Sequence, residues 1–139
     1  MTNCFSCKGI LSKRQAKFCS NKCQFQHQYD FFIENWKKDS LKQKGKYREF
    51  LSRHLRRYLF EKYDNKCSQC GWSKKNLFSN RIALEIDHID GNSENNSESN
   101  LRLLCPNCHS LTPFFKNLNK GNGRAWRLQK VKELARKKI

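Results

Sequence analysis

Two cysteine pairs, Cys67-Ser68-Gln69-Cys70 and Cys105-Pro106-Asn107-Cys108, mark the ends of the stretch that decides the fold, and His109 follows the second pair. Between them lie two further runs, Leu84-Glu85-Ile86-Asp87-His88-Ile89-Asp90-Gly91-Asn92 and Asn100-Leu101-Arg102-Leu103-Leu104. Two Cys-x2-Cys pairs that meet in space place four thiolates at the corners of a tetrahedron, the geometry of a structural zinc site. The 34 residues between Cys70 and Cys105 are more than a simple zinc ribbon needs. The spacing therefore predicts that the zinc site clamps a further structural unit at both ends.

The enclosed segment predicts a strand, a loop, a second strand and a helix. Alternation over 82–89 indicates a strand whose even-numbered residues share one face and whose odd-numbered residues share the other. Asp90-Gly91-Asn92 is a turn signal, and the polar residues 93–99 predict a loop. The apolar run Leu101–Leu104 has the length of a strand, and Pro106 suits the first turn of a helix.

This arrangement resembles the HNH endonucleases, and particularly their zinc-containing branch, in which two Cys-x2-Cys pairs flank a ββα-metal core. The resemblance covers about a third of the chain and is carried by Asp87-His88, Asn100-Leu101 and Leu104-Cys105-Pro106-Asn107-Cys108-His109. It implies a small α+β fold with a ββα-metal, treble-clef-like core stapled by a Cys4 zinc site. The expected ligands of the core zinc are Cys67, Cys70, Cys105 and Cys108. Cysteine spacing and helical patterning elsewhere in the chain add an N-terminal Cys4 zinc finger and flanking helices to the predicted fold.

The resemblance also implies a role for each residue of the motif. His88 resembles the general base that takes a proton from the attacking water, a role suited to a neutral imidazole. Asp87 and His109 resemble the ligands of one catalytic divalent metal, which is Mg²⁺, Mn²⁺ or a softer ion. Asn100 resembles the asparagine whose amide ties the loop down. The implied reaction is hydrolysis of a DNA phosphodiester that leaves 5′-phosphate and 3′-hydroxyl ends.

Each role has an alternative interpretation. His88 can be a packed strand histidine, and His109, which follows a zinc-ligating cysteine, can complete the zinc shell in place of a thiolate. Asn107 competes with Asn100 for the middle position of the motif, but turn residues are expected between the cysteines of a pair, so Asn100 is preferred. Glu85 is either a second contact of the metal site or a solvated strand carboxylate.

Composition limits the hydrophobic core that the 139 residues can form. Hydrophobic residues make up 37% of the chain, charged residues 29%, and the mean hydropathy is −0.94, so metal ions are expected to supply stability that the core lacks. No apolar run approaches the ~18 residues of a membrane span, and the N-terminus lacks a signal peptide's apolar stretch. We therefore expect an intracellular protein, in the host cytoplasm if a phage encodes it, whose eight cysteines are reduced and bind zinc.

Charge predicts double-stranded DNA as the partner, and no membrane. Each Zn(Cys)4 centre carries a charge of −2 where four neutral thiols stood, so two of them lower the formal charge from +17 to +13. A surface this basic binds phosphates with release of counterions. Five of the 12 acidic residues fall within 85–98, which predicts a small acidic pocket for a cation inside a basic surface. Of these five, Asp90, Glu94 and Glu98 are better explained as solvated turn and loop carboxylates.

Residues 1–36 predict a separate zinc finger followed by a helix. Its ligands would be Cys4, Cys7, Cys19 and Cys23, with Ser20-Asn21 capping the helix that presents Cys23. His27 is a spare candidate ligand. The finger either contacts DNA through its lysines or is purely structural or protein-binding. Five aromatic residues recur within 24–36, and packing is favoured over base stacking for them: Phe25, Tyr29, Phe31, Phe32 and Trp36.

Residues 37–46 are polar and predict a linker to a nuclease core over 47–119. Helical spacing over 47–63 puts Leu51, Leu55 and Leu59 toward the core, and arginines largely outside that face. Gly71 is expected at positive φ in the turn after Cys70, with Trp72 covering the zinc. Residues 120–139 predict a basic C-terminal helix that either contacts DNA, which we favour, or is a solvated tail. The predicted DNA-binding residues are Arg53, Arg56, Arg57, Lys116, Lys120, Arg124 and Arg127.

These features resemble the free-standing HNH homing endonucleases of bacteriophages, in which accessory modules select a site and a compact core cuts. One core carries one active centre, so a monomer that nicks one strand is the simplest prediction, and dimerisation or sequential nicks would give double-strand cutting. Two other classes remain open. One is a non-catalytic DNA-binding protein with two zinc fingers, and the other is an HNH enzyme that acts as a restriction, junction-resolving or toxin nuclease.

Overall fold

The computed structural model describes residues 2–38 and 51–120, with the single positions 129, 133 and 136. The chain divides into two compact units, Met1–Asp39 and Ser40–Ile139. Several predictions lie outside the described residues, namely the linker beyond Lys38, the first residues of the helix predicted over 47–63, and most of the C-terminal helix with Arg124 and Arg127. Within the described ranges, no helix combines the length and the hydropathy of a membrane span.

The first unit is a cysteine-rich loop followed by helix α1, Asn21–Lys38. The loop closes on itself, because Cys4 N donates to Gly9 O at 2.8 Å and Phe5 N donates to Lys17 O at 3.0 Å. The predicted cap is confirmed, since Ser20 Oγ accepts from Cys23 N at 3.2 Å. The predicted linker starts too early at residue 37, because Lys37 and Lys38 belong to the last turn of α1. Basic side chains at the C-terminal end of a helix interact favourably with its dipole.

The packing prediction for the aromatic residues of α1 is only partly right. Tyr29 and Trp36 are buried together with Ile33, so they form a stripe at helical spacing. Phe25 and Phe31 are each 63% exposed, contrary to the prediction. Phe31 lies two residues after Tyr29, about 200° around the helix, and therefore faces away from the buried stripe.

Helix α2, Arg53–Lys62, is the first described element of the second unit. It begins later than the predicted 47, because Ser52 is its N-cap, with extended ψ and a hydroxyl that accepts from Leu55 N at 3.1 Å. Leu55 and Leu59 are its buried residues, as predicted. The arginines expected on the opposite face, Arg53, Arg56 and Arg57, are exposed.

Strands β1, Glu85–His88, and β2, Leu101–Leu104, form an antiparallel pair, with Asp87 opposite Arg102. The predicted bounds of β2 are confirmed. β1 is shorter than predicted at its start, because Ile82 pairs with Lys75 in an isolated bridge instead of continuing the sheet. Helix α3, Pro106–Ser110, follows β2 directly and begins at the predicted proline. Short 3₁₀ helices lie at Glu98–Asn100 and Lys116–Asn119.

The core of the second unit is small and rich in sulfur. Six buried residues form it: Cys67, Leu84, Leu103, Leu104, Cys105 and Cys108. Trp72 packs against this cluster, as predicted, and Gly71 has the expected positive φ of 74°. A small α+β fold with a two-stranded sheet is therefore confirmed. Three of the six residues in its core cluster are cysteines.

Candidate active site and metal centres

The core cysteines come together as one group of thiols. The Sγ atoms of Cys67, Cys70, Cys105 and Cys108 all lie within 4.8 Å of one another. Cys105 is the N-cap of α3, and its Sγ accepts from Cys108 N at 3.5 Å. Ser68 N donates to Leu103 O at 2.8 Å, which joins the first cysteine pair to β2. Four sulfur ligands around one point suit a tetrahedral zinc ion, so this group could hold zinc.

The ionisation of these thiols shows why the group favours a cation. Burial raises the pKa of Cys67, but hydrogen bonds from the backbone N–H groups of Cys105 and Cys70 outweigh it, and the pKa falls to about 6. Hydrogen bonding with Cys70 raises the pKa of Cys108 to about 12. Thiols packed this closely cannot all ionise against one another. A bound dication would remove that repulsion and allow four thiolates.

The first unit carries a matching group. The Sγ atoms of Cys4, Cys7, Cys19 and Cys23 also lie within 4.8 Å of one another. A hydrogen bond from the backbone N–H of Cys7 lowers the pKa of Cys4 to about 6, while hydrogen bonding with Cys23 raises the pKa of Cys19 to about 12. Among the described residues, the group contains the four cysteines and not His27. The His27 ring lies 5.3 Å from the ring of Phe18, between centroids.

Asp87 and His109 meet beside the strand pair. Asp87 is only 6% exposed. Arg102 Nε donates to its Oδ2 at 2.7 Å across the strands. His109, one residue after the candidate zinc ligand Cys108, places Nε2 3.5 Å from Asp87 Oδ1. Two atoms that each bind one ion at about 2.1 Å are at most about 4.2 Å apart, so this pair fits a single metal ion.

Glu85 fixes the orientation of the His109 ring. Its carboxylate is hydrogen-bonded to His109 Nδ1. A carboxylate accepts, so Nδ1 carries a proton and Nε2 is the ring nitrogen that faces Asp87. A carboxylate behind a histidine is the usual second contact of a metal-binding imidazole. Sequence reasoning left Glu85 open, and the available signal was its place two residues before Asp87 on the same strand face.

The ring of His88 lies on the other side of β1 and is partly buried. Its Nε2 is 2.9 Å from Asn96 Oδ1 in the loop between the strands. An amide oxygen only accepts, so Nε2 carries the proton and Nδ1 is the basic nitrogen. Asn96 was not identified from the sequence, where it is one of several polar loop residues.

Asn100 ties the inter-strand loop to the end of β1. Its Nδ2 donates to Asp90 Oδ1 and to Asn95 O, both at 2.8 Å, and its Oδ1 accepts from Asp90 N at 3.0 Å. Ile89 N also donates to Asn100 O at 2.9 Å, directly after His88. Burial raises the pKa of Asp90, but its hydrogen bonds with Asn95 and Asn100 lower it on balance. These contacts correspond to the tie expected for this asparagine, and Asn107 is exposed on α3.

The described members of the predicted DNA-binding set are exposed at the surface of the second unit. Arg57 also pairs with Glu61 at 2.7 Å, and the guanidinium of Arg56 lies 4.8 Å from the ring centroid of Phe60. Lys116 Nζ lies 4.8 Å from the ring centroid of Phe115, whose ring is 5.2 Å from that of His109. Lys116 is thus connected, through Phe115, to His109 of the Asp87 and His109 pair.

Residues 67–112 match the family model of the HNH endonucleases. The H-N-H endonuclease F-TflIV of Escherichia phage T5 is 47% identical to the chain over 57 residues, which are 41% of this chain and 24% of the phage protein. The chain therefore spans about a quarter of the length of that relative. No solved structure matches the chain at a significant level. The matched segment contains both core cysteine pairs and every residue of the candidate site.

Proposed function

We propose that the chain is a metal-dependent endonuclease that hydrolyses phosphodiester bonds of double-stranded DNA. One observation carries the proposal: Asp87 Oδ1 and His109 Nε2 lie 3.5 Å apart with Glu85 behind the histidine. A structural zinc finger has no use for such a pair outside its thiolate shell. The HNH endonuclease match over 67–112 and the phage relative support the same conclusion.

Each residue of the candidate site has a separate role in the proposed hydrolysis. Asp87 and His109 would hold one divalent ion, Mg²⁺ or Mn²⁺, which supplies charge neutralisation at the scissile phosphate and at the leaving 3′-oxygen. His88 takes the proton of the attacking water at Nδ1, because its Nε2 is engaged by Asn96. Asn100 keeps the backbone after His88 in place through the loop. The products are 5′-phosphate and 3′-hydroxyl ends.

The rest of the chain supplies structure and DNA affinity. One zinc ion in each cysteine group would stabilise the unit that contains it. The ligands would be Cys67, Cys70, Cys105 and Cys108 in the core, and Cys4, Cys7, Cys19 and Cys23 in the finger. The exposed cations Arg53, Arg56, Arg57, Lys116 and Lys120 would contact phosphates, and Arg124 and Arg127 are proposed to extend this contact. With one site per chain, a homing-type monomer that nicks one strand is the simplest arrangement.

Cleavage of supercoiled plasmid tests the proposal, first with Mg²⁺ and then with Mn²⁺. His88→Ala should reduce nicking by about 100-fold or more, the usual contribution of a general base. His54→Ala, a histidine change on α2 outside the site, is the matched control and should cut like the parent. All three proteins must first hold two zinc ions per chain. If the folded, zinc-loaded parent binds DNA but cuts neither the plasmid nor a randomised target library, the nuclease proposal fails and a DNA-binding finger protein replaces it.

A further inference from the structure

Two apolar side chains stand almost completely in solvent between the first cysteine pair and β1. Leu77 is 95% exposed and Phe78 is 99% exposed. They are the two most exposed large apolar residues in the described part of the chain. Two large apolar side chains that are adjacent and almost fully exposed form a contiguous apolar surface, the kind of feature that can mark an interaction site.

The loop that presents them, residues 76–80, is held in one shape. Lys75 and Ile82 close its base as an antiparallel bridge, and Asn76 N donates to Arg81 O at 2.8 Å. The side chain of Asn76 caps the turn, because its Oδ1 accepts from the backbone N–H groups of Phe78 and Ser79, both at 2.9 Å. The tip is therefore ordered before it meets a partner, which lowers the entropy cost of binding.

The charge around this tip identifies the kind of partner. Lys74 and Lys75 precede it and Arg81 follows it, and all three are exposed. No acidic residue occurs in the sequence between Asp64 and Glu85. An apolar tip flanked by cations alone matches a duplex, which has a phosphate rim and apolar base faces. An apolar protein surface would not need the cations.

We propose that the Leu77-Phe78 tip is a wedge that inserts between base pairs of the duplex while Lys74, Lys75 and Arg81 contact the flanking phosphates. Apolar side chains used in this way partly unstack a base step and bend the duplex. The proposal deepens the function given above and rests on DNA being the substrate. It adds a second contact that has no part in the chemistry.

One duplex can reach both the wedge and the candidate site. Phe78, at the tip of the loop, is nine residues before Asp87, so the chain between them spans at most about 31 Å. That length corresponds to about nine base pairs at 3.4 Å per step. The wedge therefore acts within about one helical turn of the scissile phosphate, where bending the duplex changes the path of the strand that is cut.

The test measures binding and unwinding separately from cleavage, in a full-length His88→Ala background. Affinity is measured by fluorescence anisotropy on a short mixed-sequence duplex. Unwinding is measured as the linking-number change of a plasmid relaxed by a type I topoisomerase in the presence of the protein. The wedge variant is Leu77→Ala with Phe78→Ala, the conservative variant is Phe78→Trp, and Leu118→Ala removes an apolar side chain that is 68% exposed elsewhere in the unit.

The wedge variant should keep its zinc and its melting temperature, lose about tenfold or more in affinity, and lose the linking-number change. Its dependence of affinity on salt should keep the parental slope, because the phosphate contacts remain. Phe78→Trp and Leu118→Ala should behave like the parent.

Parental affinity and unwinding in the wedge variant would overturn the wedge and leave the nuclease proposal intact. A change in oligomeric state with unchanged DNA binding would also overturn it, in favour of a second copy as partner. If the parent binds no DNA, both proposals fall.

Discussion

At the scale of single residues, the candidate chemistry depends on which nitrogen of each imidazole is free. The two histidines of the site face different sides of the sheet and have different partners. Glu85 holds Nδ1 of His109 and leaves Nε2 beside Asp87, whereas Asn96 holds Nε2 of His88 and leaves Nδ1. These partners suit His109 to binding a metal ion and His88 to accepting a proton.

Removal of the Glu85 carboxylate should weaken the metal site without unfolding the protein. We expect Glu85→Ala to raise the metal concentration that half-saturates cleavage by about 10- to 100-fold, the usual cost of losing the carboxylate behind a metal-binding histidine. The Glu85 side chain is 57% exposed, so the melting temperature and zinc content should remain unchanged. The measurement is a titration of plasmid nicking with Mg²⁺ and with Mn²⁺.

Glu94→Ala is the control for this prediction. Glu94 is an exposed carboxylate of the same acidic stretch of sequence, residues 85–98, so its loss removes the same formal charge. An equal effect of both variants would mean that the stretch acts only through its total charge and that Glu85 does not orient His109.

At the scale of elements, α2 and the 3₁₀ helix that precedes β2 are joined through one carboxylate. Glu98 Oε1 accepts from Tyr58 OH at 2.5 Å and from Lys62 Nζ at 2.8 Å. Both donors come from α2, which also buries Leu55 and Leu59. This contact fixes the segment that carries Asn100, and through it the loop around His88.

The Lys62 contact predicts a dependence of stability on pH. Burial lowers the pKa of Lys62, but hydrogen bonding and the charge of Glu98 raise it above its ordinary value of 10.5. A raised pKa means that the charged lysine stabilises the fold below pH 10.5 and that this contribution disappears as the pH rises through the raised value. About a third of each side chain is exposed, so Glu98→Gln should cost only about 0.5–1 kcal/mol near neutral pH.

Denaturant unfolding of the parent and Glu98→Gln, near neutral pH and above pH 10.5, measures this effect. The difference between the two proteins should shrink at high pH. Glu61→Gln is the control, because Glu61 forms a more exposed pair with Arg57 within α2 and should change stability by about 0.5 kcal/mol or less. A difference that is constant across this pH range would contradict the role of Lys62.

At the scale of the whole molecule, metal binding at the two cysteine groups would offset the lack of a large hydrophobic core. Three of the six buried residues in the central cluster of the second unit are cysteines. Structural zinc contributes about 10–16 kcal/mol in small zinc domains, as much as the whole stability of an ordinary domain, about 5–15 kcal/mol. Folding of each unit is therefore expected to be coupled to its own metal ion.

Loss of one cysteine should unfold one unit and spare the other. We expect Cys108→Ala to lose one zinc ion per chain, the secondary structure of the second unit and all cleavage. Cys7→Ala should lose the other zinc ion yet still cut, with weaker DNA binding at most, because the hydrogen bonds described for the candidate site join residues of the second unit. Zinc analysis, circular dichroism and plasmid cleavage measure the three effects. Cleavage by Cys108→Ala, or an unfolded second unit in Cys7→Ala, would contradict this division.

Local sequence determined much of this architecture. The spacing of the cysteines predicted which thiols would meet, the apolar run predicted β2, and Pro106 predicted the start of α3. Gly71 was expected at positive φ and has it. Each of these features depends on residue types within a few positions, or on a metal-ligand pattern that restricts distant residues to one point in space.

Tertiary structure alone decided the finer arrangement. β1 begins at Glu85 because Ile82 pairs with Lys75, and Glu85 becomes a partner of His109, 24 residues away. Asn96 became the partner of His88 only when the loop folded over the strand end, and the Leu77-Phe78 tip became an exposed loop only when its base closed. Such contacts join residues that are distant or interchangeable in sequence. The type of a residue determines which partners its side chain can bind, and the folded backbone determines which of those partners lies within reach.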